Sequence, residues 1–182
     1  MIYSELAQDT INKIISTLQA GGGSELDRAV DEALCNLVTG MDTDQGLLWL
    51  VVDAGLRVTS GYTMQSGSGA LVGLSLDSQQ STALVLNFLS SDDVATEIDR
   101  ESSDWAPLLN VSQEFDSQLV VGLRARGLFP GFLTLQSKKE RSWSADERST
   151  LEKVAALLAV IISYDLDLRR GEQPGKQGQN AT

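Results

Sequence analysis

The chain has 182 residues, enough for one compact core, and its apolar fraction of 42% argues against general disorder. Acidic residues number 25 and basic ones 14, a net charge of −11, which speaks against binding nucleic acid or an anionic membrane through basic patches. There is no histidine and one cysteine, Cys35, so a Ser–His–Asp or Cys–His hydrolase, a CxxC metal knuckle and an internal disulfide are excluded.

From the N-terminus, Ile2, Leu6, Ile11, Ile14, Ile15 and Leu18 recur at helical spacing, and Gly21-Gly22-Gly23 ends that helix. Ser24, with Asp27 three residues on, caps a second helix running to about Thr39. Its inner face carries Leu26, Val30, Ala33, Leu34, Leu37 and Val38. A polar turn, MDTDQG, leads to the apolar run Leu47–Val52, a central strand. Asp53-Ala54-Gly55 turns the chain into a second strand, about Leu56–Tyr62. QSGSGA links to a third, about Leu71–Leu76, and Asp77 or Ser78 caps a helix to about Leu89. The acidic stretch SSDDVATEIDRESSDW reads as a loop holding a short edge strand near Val94–Ile98 and a short helix after Ser103. Strands Gln118–Arg124 and Phe129–Gln136 follow, and Ser142 or Ser144 caps a long closing helix with Asp146 and Glu147 in its first turn. Short links between strands predict an antiparallel sheet with helices on one face.

Two features resemble the GAF family of regulatory domains. One is Leu34–Val38 passing through a polar turn into Gln45-Gly46-Leu47-Leu48-Trp49-Leu50. The other is the closing unit: Leu119–Val121, Gly131–Gln136, Trp143-Ser144, Asp146-Glu147 and Leu151–Ile162. The resemblance spans about Ser24 to Leu168 and rests on residue classes, so it bears on fold more than on function. It implies an α+β fold: a GAF-like twisted antiparallel sheet of about five or six strands, with N- and C-terminal helices packed on one face. Residues 1–170 would be a single domain, with an N-terminal helix at 1–20 and a core at 24–168, and 171–182 would be a disordered tail.

By the same resemblance, a sensory or regulatory domain of a signalling system is expected, acting by small-molecule binding and dimerisation without catalysis. The alternative is a ligand-free module for protein–protein interaction or dimerisation. The pocket would lie between the sheet and about Leu76–Asn110, with Trp105, Arg124 and Thr134 as ligand-binding candidates. Trp105 either stacks on a planar ligand or plugs the loop into the core. Arg124 either meets an anionic ligand or faces water beside Arg126. A homodimer through the terminal helices would use Ile11, Ile15, Leu18, Leu157 and Ile161; otherwise the first and last helices cover each other within one chain. The further partner is expected to be a small-molecule ligand or a signalling protein, the chain being either an excised input domain or a stand-alone partner of another protein.

No cofactor is expected. Bilin attachment wants a pocket cysteine followed by histidine, whereas Cys35 falls in the second helix as a small buried hydrophobe. Haem lacks its histidine ligand. A GAF-like methionine sulfoxide reductase would need paired cysteines. Asp92, Asp93, Glu97, Asp99, Glu101 and Asp104 are irregularly spaced and match no EF-hand loop, so no metal site is assigned. Gly67, Gly69 and Gly73 precede a strand instead of opening a helix, which suits a hairpin link better than a dinucleotide loop. The N-terminus lacks signal-peptide character and no run approaches a membrane span of roughly 18 to 20 residues. A cytoplasmic location is expected, with no nucleic acid or membrane partner.

Overall fold

The computed structural model describes residues 2–19, 25–53, 55–69, 71–90, 95–99, 101, 105, 108 and 114–171. Among these, helices α1 (Ile2–Gln19) and α2 (Glu25–Gly40) precede strands β1 (Gln45–Val52), β2 (Gly55–Thr63), β3 (Gly67–Ser68) and β4 (Ser75–Leu76). Helix α3 (Ser78–Ser90), strands β5 (Ala95–Asp99), β6 (Ser117–Ala125) and β7 (Leu128–Ser137), and helix α4 (Ala145–Gly171) complete the order. The sheet runs β3-β2-β1-β7-β6-β5, with β4 also on β2, and the observed pairings are antiparallel. It is an α+β fold, as expected, and among the described residues the sheet has seven strands where about five or six were expected. The glycines at 21–23, Ser24 and the tail from 172 lie outside the described residues.

Side-chain alternation divides the core into two layers. Behind the sheet, Leu48, Leu119, Val121, Leu133 and Leu135 pack against Val30, Leu34 and Leu37 of α2 and Leu151, Val154 and Leu158 of α4. In front, Leu47, Trp49, Val120 and Phe132 pack against Leu84 and Phe88 of α3, with Trp105 and Leu108. Helix α1 lies against α2 and α4. Thr17 donates to Glu32 at 2.8 Å and Lys13 to Asn36 at 3.2 Å, so α1 runs antiparallel to α2. Thr150 Oγ1 donates to Tyr3 O at 2.8 Å, joining the start of α1 to α4.

The third strand is shorter than the apolar run Leu71–Leu76 suggests. Leu71 (φ 60°) and Gly73 (φ 92°) adopt left-handed backbone, so the chain turns there and only Ser75–Leu76 pair with β2. Between β6 and β7, Arg126 (φ 53°) and Gly127 (φ 74°) form a two-residue turn with both φ positive, the geometry that matches strand twist. Gly131 is required by close approach: a Cβ there would stand 1.8 Å from Trp49 O on β1. Asp77 caps α3 by accepting from Gln80 N at 2.8 Å, while Asp77 N donates back to Gln80 Oε1 at 3.3 Å.

Candidate functional site

The front of the sheet carries polar groups at positions where an apolar face is expected. In one cross-strand row, Gln45 of β1 and Gln118 of β6 flank Gln136 of β7. Gln45 Nε2 donates to Gln136 Oε1 at 2.6 Å, and Gln136 Nε2 donates to Gln118 Oε1 at 2.9 Å. All three side chains are buried. The chain of amides ends at Gln118 Nε2, which has no acceptor. The next row is Leu47–Thr134–Val120, and Thr134 Oγ1 is buried without a partner. The third is Trp49–Phe132–Gly122, and Trp49 Nε1 is likewise unpartnered. Buried polar groups are normally hydrogen-bonded, so three orphans stepping diagonally across neighbouring strands need an explanation.

Aromatic rings border them. Phe132 stacks on Trp49 at 5.8 Å and on Phe88 at 5.4 Å between centroids. Trp105 meets Phe88 edge-on at 4.8 Å and is buried. Of the sequence candidates, Trp105 therefore sits on the front core. Arg124 is exposed and donates through Nη2 to Phe88 O, placing a cation at the C-terminal turn of α3. Thr134 lies two residues beyond Phe132 on the same face. Trp105 and Arg124 meet the same residue, Phe88, while Thr134 belongs to the polar rows beside it. Sequence reasoning missed Gln45, Gln118, Gln136 and Trp49. The signal was present: each glutamine occupies an inward position of an otherwise apolar strand.

Helical candidates are distributed differently. Ile14 is fully buried in the back core, and Ile11, Leu18, Leu157 and Ile161 are half-buried against it. Ile15 is 41% exposed. On α4, Val160 (49%) and Tyr164 (57%) form an exposed apolar step one turn apart. Cys35 is half-buried on α2 and hydrogen-bonds the Tyr62 hydroxyl, raising the phenol's pKa above its ordinary value. Tyr62 packs against the rear core, so Cys35 lies behind the sheet.

The acidic residues line a separate groove of about 810 Å³ bounded by Glu97, Asp99, Glu101, Asp116, Arg141 and Trp143. Glu97 accepts from Trp143 N at 3.0 Å and pairs with Arg148. Asp92, Asp93 and Asp104 fall outside the described residues, and among those described no three His, Cys, Asp or Glu side chains are grouped to hold a metal ion. No described helix is long and apolar enough to cross a membrane.

The GAF domain profile matches residues 25–162. Similar solved structures include the phycocyanobilin-bound GAF domain of a cyanobacterial phytochrome, at 14% identity and TM-score 0.74, covering 92% of this chain and 98% of that one. The GAF domain of Acinetobacter phosphoenolpyruvate-protein phosphotransferase aligns at 17% identity and TM-score 0.68, over 88% and 95%. The corresponding domain from Coxiella burnetii aligns at 13% identity and TM-score 0.66, over 90% and 98%. No curated protein matches the chain in sequence.

Proposed function

The chain belongs to the GAF domain family, a sensory and regulatory fold found in signalling proteins, and from that premise we propose that it is a sensor which binds a small molecule in front of its sheet and dimerises behind it. The observation that carries the reading is the gathering of three unpartnered polar atoms on adjacent strands of the front face. Behind the sheet the unpartnered atoms Thr10 Oγ1, Trp143 Nε1 and Ser163 Oγ sit on separate elements, whereas Trp49 Nε1, Thr134 Oγ1 and Gln118 Nε2 lie on neighbouring strands of one face. Ligand occupancy would bias the packing between sheet and terminal helices, and α4 would carry that change to a partner.

In this reading the domain is cytoplasmic and does no chemistry of its own, and the lack of histidine removes the Ser–His–Asp and Cys–His routes. It also carries neither bilin nor haem, which the position of Cys35 behind the sheet supports. The dimer would form on the exposed side of α4, around Val160 and Tyr164, with Leu157, Ile161 and the Ile11–Ile15–Leu18 side of α1 flanking it.

Thermal unfolding against nucleotides, amino acids and oxoacids tests the sensor. A ligand at a hundred times its Kd stabilises the native state by about 2.7 kcal/mol, a midpoint rise of roughly 5–10 °C for a domain this size. No shift with any class would favour the interaction module, a reading to which the burial of Trp105 against Phe88 lends weight.

A further inference from the structure

We infer that the ligand taken by the front of the sheet is an uncharged, flat heterocycle bearing two or more carbonyl-type acceptors, read by Trp49 Nε1, Thr134 Oγ1 and Gln118 Nε2. This deepens the sensor reading and rests on it. The three atoms are buried and unpartnered among the described residues, they belong to three adjacent strands, and register places all of them on the same face. An indole N–H and an amide N–H can only donate, and a threonine hydroxyl can donate or accept. The complementary molecule must therefore supply acceptors.

Its charge follows from what is missing around those donors. Among the described residues no lysine or arginine is buried, so an anion here would lose its hydration without gaining a counter-charge. Arg124 is exposed and reaches Phe88 O at the end of α3. The amide ladder fixes the polarity of the donor row. Gln45 gives to Gln136 and Gln136 gives to Gln118, so the free group at the end is an N–H and not a carbonyl. Shape comes from the rings: Trp49, Phe132 and Phe88 form a stacked series beside the donors, a surface that favours a planar π-system over an aliphatic chain.

The test uses uracil, theophylline and lumichrome as neutral probes, and orotate as the carboxylate-bearing counterpart of uracil. AMP, glutamate and succinate represent other classes. Calorimetric titration should show saturable binding of at least one neutral probe and none of orotate. Thr134→Val removes only an unpartnered hydroxyl, so the free protein's midpoint should stay level or rise while that probe's affinity falls roughly tenfold. Trp49→Phe, which keeps the ring and removes the N–H, should weaken the same probe. Binding of orotate or succinate in preference to the neutral rings overturns the ligand class and leaves the sensor standing. A neutral ring whose affinity is unchanged in both variants overturns the site. Silence from every class overturns this inference and the sensor together.

Discussion

Glu147 is buried while its neighbours Glu140 and Asp146 are exposed, and its partners account for the difference. One oxygen accepts from Ser144 N at 2.8 Å and Ser144 Oγ at 2.9 Å, completing a capping box with Glu147 N to Ser144 Oγ at 3.2 Å. The other pairs with Arg141, whose guanidinium stacks on Trp143 at 4.5 Å and donates to Met41 O at 3.0 Å. One carboxylate thus ties the start of α4 to the turn between α2 and β1. Glu147→Ala should cost about 3 kcal/mol, since it leaves Arg141 without its partner and the helix without half its cap, measurable by urea unfolding. The cap was legible from Ser144 and Glu147 three residues apart; the Met41 link was not, because it joins positions distant in sequence. Asp31 provides the pH-dependent case. Burial, with Asp27 nearby, raises its pKa above the ordinary value. A raised folded pKa contributes stability below the unfolded value of about 4, lost as pH climbs through the folded one, so the ionised form is a penalty at neutrality. Asp31→Asn should raise the midpoint by ~1–2 °C at pH 7, and the gain should vanish below about pH 4.

Strands β1, β6 and β7 were readable because continuous apolar runs bounded by turns leave few alternatives. Their glutamines were passed over because a lone polar residue at a strand end looks like the start of a turn. The segment before α3 misled for a different reason. Its apolar letters suggest a strand, but two left-handed residues bend the backbone out of the ladder after only a brief pairing with β2. Such geometry is invisible at Leu71, where a non-glycine adopts φ 60°. The acidic stretch gave its edge strand within a residue, whereas the helix expected after Ser103 lies largely outside the described residues. At Gly131 the pairing of β1 with β7 leaves no room for a side chain. Gly131→Ala should destabilise by more than about 4 kcal/mol or prevent folding, read from soluble yield and circular dichroism; a near-neutral result would mean the two strands are farther apart.

As a whole molecule, the chain places its two proposed activities on opposite sides of one sheet. Residue classes at the first strand and the closing unit sufficed for the family, because a fold needs only pattern and periodicity. The ligand was not legible there, since it depends on which polar atoms remain unanswered after folding. On the terminal helices Ile15 is exposed and Ile14 buried, and the exposed pair Val160 and Tyr164 shows only in the observed packing. In the proposed assembly the native chain should sediment as a dimer at tens of micromolar and a Val160→Glu, Tyr164→Glu variant as a monomer, with its unfolding midpoint little changed. The three tryptophans give the most direct test of the central claim, because Trp49 and Trp105 belong to the front core and Trp143 to the back. In a fluorotryptophan-labelled sample, a bound small molecule should shift the 19F resonances of Trp49 and Trp105 and leave that of Trp143 in place. Movement of Trp143 alone would put the ligand on the wrong side of the sheet and contradict the account.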